Sequence, residues 1–213
     1  MIQHFVKQSQ SDHLTLIFAG WGMDYNITNN IDNLSGDICV CYNYTSLDFD
    51  PAPLAQYTTI ALVAWSMGVW VASRTITQHP ELPITSSLAI NGTQSPIDAQ
   101  RGIAPAIFAA TLANISDCGM ERFYRRMCDS KRDLFSHFDG CRPAARTMED
   151  IATELQALQE AVLSSEDVNY SWQSVVIGES DRIFTPENQK RAWEGVTVRV
   201  SGDAHYIKLE EYI

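Results

Sequence analysis

A chain of 213 residues, 45% hydrophobic and 19% charged, has ample length for a real core, and its 26 acids against 15 Lys and Arg leave it at −11. That charge argues against a broad nucleic-acid surface, and no apolar run approaches the ~20 residues of a membrane span. The five cysteines include no C-x-x-C pair, which speaks against a disulfide framework or a structural zinc site.

The N-terminal Met1-Ile-Gln-His-Phe-Val-Lys7 lacks the basic and then apolar pattern of a signal peptide. A cytoplasmic protein with reduced thiols is expected, without metal or cofactor, and as a monomer. Gln3 to Lys7 reads as a short edge strand. Leu14 to Ala19 reads as a buried strand that breaks at Gly20-Trp21-Gly22. Two glycines directly after a strand let the backbone turn tightly and aim its N–H groups at a ligand. A short capped helix is expected between Asp24 and Asn33, then a strand at Ile38–Tyr44.

The stretch Ile60 to Arg74 organises the rest. It starts as a continuous aliphatic run, which is how a strand buried on both faces reads. It ends as a buried helix start, and Ser66 stands at the corner in Ala64-Trp-Ser-Met-Gly68. A strand that turns sharply into a helix strains the residue at the corner and needs small neighbours. This is the nucleophile elbow, with alanine in place of the first glycine. The bland alternative is a serine that caps the helix.

Ser87–Asn91 is the next strand. From about 98 to 165 the sequence shows helix periodicity alone, carried by Ile107, Phe108, Leu112 and Ile115, by Phe123, Tyr124 and Met127, and by Ile151, Leu155, Leu158 and Val162. Strands return at Ser174–Gly178 and Val196–Val200. The alternation implies a mostly parallel, doubly wound α/β sheet. The helical block reads as a cap inserted over the carboxyl edge, where open α/β sheets bind ligands. One domain spanning 1–213 is expected.

A serine nucleophile needs a base within hydrogen-bond reach. Of the histidines at 4, 13, 79, 137 and 205, only His205 follows a late strand, in Gly202-Asp-Ala-His-Tyr206. The base needs a carboxylate to hold its tautomer. Asp181, in Gly178-Glu-Ser-Asp-Arg-Ile-Phe184, follows the penultimate strand and gives the chain order Ser…Asp…His. Asp98 stays the main alternative, while Glu179 sits too close to its strand and Asp203 too close to His205. For the oxyanion, the backbone N–H of Met67 is one donor and that of Trp21 the other. The Trp21 indole can also wall an acyl pocket together with Trp65 and Trp70.

With these pieces together, the chain resembles the α/β-hydrolase superfamily along its whole length. Phe18-Ala-Gly-Trp-Gly-Met-Asp24, Trp65-Ser-Met-Gly-Val-Trp-Val-Ala72, Asn91-Gly-Thr93, Gly178-x-x-Asp181-x-Ile-Phe-x-Pro186 and Ala204-His-Tyr206 resemble the BioG family of pimeloyl-[acyl-carrier protein] methyl ester esterases. The resemblance implies attack of Ser66 on the terminal methyl ester, release of methanol and hydrolysis of the acyl-enzyme in biotin synthesis. It also implies an acyl-carrier protein as partner. Between Glu121 and Arg146 the segment holds seven basic residues (122, 125, 126, 131, 132, 142 and 146) against four acids, a net +3 in an acidic chain. Such a patch suits an acidic carrier protein, with Arg122, Arg125 and Arg126 the leading trio; the bland alternative is a solvated helix with internal ion pairs. Two other functions stay open: a general carboxylesterase or thioesterase, and a non-catalytic hydrolase-fold binding protein.

Overall fold

The computed structural model describes residues 1–28, 31, 34–128 and 146–213. The apolar runs become strands at β1 (Ile2–Lys7), β2 (His13–Phe18), β3 (Asp37–Tyr42), β4 (Thr59–Trp65), β5 (Ile84–Ile90), β6 (Ser174–Gly178) and β7 (Val198–Ser201). They form one sheet in the order β1-β3-β2-β4-β5-β6-β7. Only β1, at the edge, runs antiparallel to its neighbour. The central strands are buried on both faces, as their continuous apolar runs demand: Leu16, Ile17, Cys39, Val40, Leu62 and Ala64 are all sealed from solvent.

Helix α1 (Gly68–Gln78) follows β4 and packs on β2 and β4. Between β5 and β6 the described residues carry α2 (Pro105–Ala113), α3 (Asp117–Met127) and α4 (Met148–Ser164), and α5 (Pro186–Ala192) follows β6. Helix α4 opens on a capping box: the Thr147 hydroxyl accepts from Asp150 N–H and the Asp150 carboxylate accepts from Thr147 N–H. Its buried residues Ile151, Leu155 and Leu158 recur at the helical period, as do Phe123 and Met127 on α3. Among the described residues no helix is long and apolar enough to cross a membrane.

Three expectations need correction. Of the helix expected between Asp24 and Asn33, the described residues show a 3-10 turn, Tyr25–Thr28, with the Asp24 carboxylate accepting from Asn26 N–H; residues 29, 30, 32 and 33 lie outside the described residues. Strand β5 begins at Ile84, because Thr85 and Ser86 lie on the half-exposed start of the strand and dilute its apolar signal. Ile107 is not core but 50% exposed on α2.

Candidate active site

The carboxyl ends of β2, β4, β5, β6 and β7 converge. Strand β4 ends at Trp65, and Ser66 follows with φ of +60°. A non-glycine residue rarely takes that conformation, and the surroundings must impose it. They do so here by two means. Ser66 N–H donates to Ile90 O at 2.9 Å, and α1 starts so close to β2 that a Cβ on Gly68 would lie 2.4 Å from the carbonyl oxygens of Phe18 and Ala19. Ala64 is fully buried between Phe18 and Ala89 of the flanking strands, so one methyl is tolerated where a larger group would not be. The capping role for Ser66 fails: Met67 is the N-cap residue of α1, and no side chain caps it.

The Ser66 hydroxyl donates instead to His205 Nε2 at 3.0 Å. His205 Nδ1 donates to Asp181 Oδ2 at 2.9 Å. All three residues are buried. Asp181 takes three further donors: Ile183 N–H at 2.7 Å and Phe184 N–H at 3.0 Å reach Oδ1, and Gln189 Nε2 reaches Oδ2 at 3.0 Å. The imidazole is held between Phe184, stacked at 6.0 Å and 11°, and Trp65 at 5.4 Å. Its backbone carbonyl accepts from Trp65 Nε1 and Asn91 Nδ2, both at 2.9 Å.

The competitors are used elsewhere. Asp98 accepts from Gln100 and Arg101 N–H at 2.8 Å each. The Gln100 bond, more than any other cause, holds that carboxyl below its ordinary range. Glu179 is exposed, and the Asp203 carboxylate bonds the Tyr212 hydroxyl. His4 stacks on Tyr25, while His13 and His79 sit beside Asp12 and Glu81. His137 lies outside the described residues.

Gly20 to Met23 form a four-residue turn closed by Met23 N–H to Gly20 O at 3.3 Å, with Gly22 at φ of +74°. Among the described residues no backbone carbonyl accepts the N–H of Trp21 or of Met67. Both residues line a narrow cavity of about 40 Å³. Ser66 and His205 open into it, and its wall is apolar, with Trp65, Phe108, Phe123 and Leu155 among the lining residues. Arg126 and Arg182 are its cations. Trp70 is plain core and does not reach the cavity.

The family described as "Pimeloyl-ACP methyl esterase BioG" matches residues 1–210. The chain belongs to the BioG family. It is similar to the crystallised BioG of Haemophilus influenzae, with a TM-score of 0.86 and 35% identity over 99% of this chain and 96% of that one. It is 45% identical over 181 residues to the malonyl-[acyl-carrier protein] O-methyltransferase of Bacteroides fragilis, a match covering 84% of this chain but 36% of that protein. The chain thus spans about a third of that relative. An esterase from Exiguobacterium antarcticum shares the fold at a TM-score of 0.72 and 14% identity. The fold is that of the α/β-hydrolases.

Several residues around this site carry no sequence signal of their own. Gln189 on α5 bonds both Asp181 and Phe184 O, the latter at 2.7 Å. Asn91 clamps the His205 loop to β6, donating to Ala204 O and accepting from Gly178 N–H at 2.6 Å. Glu154 and Arg146 form a buried ion pair at 2.5 Å. Burial pushes the Glu154 carboxyl above its ordinary range, against the opposing pull of Arg146 and of the Tyr44 and Gly22 N–H groups. Arg146 therefore leaves the basic surface patch expected of it. Arg122, Arg125 and Arg126 are exposed on α3, with Arg125 paired to Glu121 at 2.5 Å and Arg126 over the Phe123 ring. Lys131, Arg132 and Arg142, with Asp129, Asp133, Asp139 and Cys141, lie outside the described residues.

Proposed function

We propose that this chain hydrolyses the terminal methyl ester of a pimeloyl group carried on an acyl-carrier protein, with Ser66 as nucleophile, His205 as base and Asp181 as the orienting carboxylate. The observation that carries this reading is the unbroken relay from Asp181 through His205 to Ser66, opening into a narrow apolar cavity. Ser66 Oγ bonds to the ester carbonyl carbon as its proton passes to His205 Nε2. The oxyanion is received by the Met67 and Trp21 N–H groups. Collapse expels methoxide, which takes the proton from His205 and leaves as methanol. Water, deprotonated by His205, then cleaves the acyl-enzyme and frees the carboxylate.

Helices α2, α3 and α4 act as the cap. They narrow the cavity so that the far end of the acyl chain meets Ser66 first, and positioning of that kind spares the carrier thioester. The Bacteroides fragilis relative supports a methyl ester as the substrate. Its name describes methyl transfer to a carrier-bound acid, and a methyl group put on such an acid is the group an esterase removes. The test is hydrolysis of the purified carrier-bound methyl ester, read by mass. Loss of one methyl with the thioester intact, and rescue of biotin growth in a strain lacking its esterase, is the expected result. Release of free acyl acid from the carrier would instead identify a thioesterase.

The carrier docks on α3. A groove beside the cavity is lined by Arg122, Arg125 and Arg126 together with Ile107, Thr111 and Phe123, and it shares Arg126 and Phe123 with the cavity wall. Arg122 and Arg126 have no carboxylate in ion-pair contact among the described residues. The Arg125–Glu121 pair is exposed and holds its charge only weakly. Replacing Arg122 and Arg125, which line the groove and not the cavity, by glutamate is expected to lower kcat/KM for the carrier-bound ester about tenfold to a hundredfold at low salt, chiefly through association. Turnover of p-nitrophenyl acetate should stay within twofold. An equal fall on both substrates would show that the arginines shape the cap and do not dock the carrier.

A further inference from the structure

The Gly20–Met23 turn, which offers the Trp21 N–H to the oxyanion, is not held by its own strand. It is tethered from α4 and from Arg146, two residues ahead of that helix. Trp21 Nε1 donates to Ile151 O at 2.8 Å, and the Trp21 ring packs edge-on against Phe123 of α3 at 5.0 Å. Gly22 N–H donates to Glu154 Oε2 at 3.1 Å. Glu154 Oε1 accepts from Tyr44 N–H at 2.9 Å, which fixes the carboxylate to the end of β3. Arg146 completes the set, with Nη1 on Glu154 Oε2 and 3.4 Å from Met23 O. Glu154 is fully buried and Arg146 nearly so.

A buried charged pair is a weak source of stability, since desolvation offsets most of its attraction. Its geometry points to another role. In a four-residue turn the peptide between the two central residues can rotate as a unit. Here that peptide joins Trp21 to Gly22, and its N–H is the one Glu154 accepts. The indole bond to Ile151 fixes the side chain of the same residue. Both tethers act on Trp21, and neither touches the reacting atoms.

We infer that Glu154, paired with Arg146, is a positioning residue for the oxyanion site. Glu154 holds the Trp21–Gly22 peptide and Arg146 the Met23 carbonyl. Together they keep the turn closed through Met23 N–H on Gly20 O, the carbonyl of the Gly20–Trp21 peptide whose N–H faces the oxygen on which charge develops. The inference rests on the serine-hydrolase reading above. Its effect is confined to the transition state, because the ground-state ester carbonyl makes little demand on that donor.

The experiment compares wild type with Glu154→Gln, which keeps the shape but can no longer accept from Gly22, Tyr44 and Arg146 together. A short-chain trifluoromethyl ketone is the probe. It adds the Ser66 hydroxyl reversibly, forming a C–O bond, moving the carbonyl π pair onto oxygen as an oxyanion and passing the proton to His205. Glu154→Gln is expected to lose about tenfold to a hundredfold in kcat on p-nitrophenyl acetate, with KM within twofold and ketone affinity reduced by the same factor as kcat. Wild-type kcat and ketone affinity in the variant overturn the inference, as does a loss that falls on KM alone. Should that variant fail to fold, Arg146→Lys keeps the buried charge opposite Glu154 and deletes the guanidinium bond to Met23 O. The same parallel fall in kcat and ketone affinity is expected there, and unchanged ketone affinity overturns the inference. Failure of the underlying reading looks different: Ser66→Ala would then keep its turnover, and the ketone would not bind wild type at all.

Discussion

Ser66→Ala is expected to lose about six orders of magnitude in kcat on any ester, since removing the nucleophile of a cooperating triad costs nearly as much as removing the whole triad. The variant should fold normally. Ser66 contributes no helix cap, and its positive φ, which the Ile90 bond and the Gly68 contact impose, costs alanine no more than serine. Residual turnover of about a thousandfold over water is expected from the oxyanion donors and binding alone. Two readouts check this together. Steady-state hydrolysis of p-nitrophenyl acetate gives the loss, and labelling by a fluorophosphonate probe shows whether any other side chain substitutes. Cys128 is buried at the end of α3, next in sequence to Met127 of the cavity wall, and is the thiol to test as an impostor. A Ser66→Ala protein that still labels, and that loses the label in a second Cys128→Ser change, would overturn the assignment of the nucleophile.

The elbow was legible because two physical demands meet in five residues. A doubly buried strand needs continuous aliphatic residues, and a helix docking on β2 within 2.4 Å of a virtual Cβ needs glycine at 68. No other residue type satisfies the second demand. His205 and Asp181 were legible through chain order, since the strands that carry them neighbour each other in the sheet. Gln189, Asn91 and Glu154 were not. Each acts by a hydrogen bond across a large sequence separation, and a polar residue on a helix or after a strand has the same local appearance whether it faces solvent or a buried carboxylate. Glu154 is the clearest example. Its place on α4, between apolar Ile151 and Leu155, suggests a helix edge, and only the return of the Gly20–Met23 turn against that helix makes it buried. Arg146 is hidden from a charge count for the same reason: charge summed along a segment does not say which side chain turns inward.

Asp181→Asn tests the orienting carboxylate, and the hydrogen bonds around it fix the outcome. Oδ1 accepts from Ile183 and Phe184 N–H, and an amide oxygen can keep both. The amide nitrogen must then take the Oδ2 position, facing His205 Nδ1 and Gln189 Nε2. Both of those atoms now donate. Gln189 cannot escape by turning its amide, because its nitrogen also donates to Phe184 O, and a turned amide would set oxygen against oxygen. His205 can escape by moving its proton from Nδ1 to Nε2. In that tautomer Nε2 donates to Ser66 Oγ and can no longer take its proton. A loss of about 10⁴ in kcat is expected, roughly 5.5 kcal/mol of barrier, with KM little changed because the cavity wall is untouched. Raising the pH should restore part of the rate, as hydroxide then assists in deprotonating Ser66 without His205. The measurement is the pH dependence of kcat for the two proteins. If the variant retained rates within tenfold of wild type across neutral pH, Asp181 would not be the carboxylate that holds the histidine.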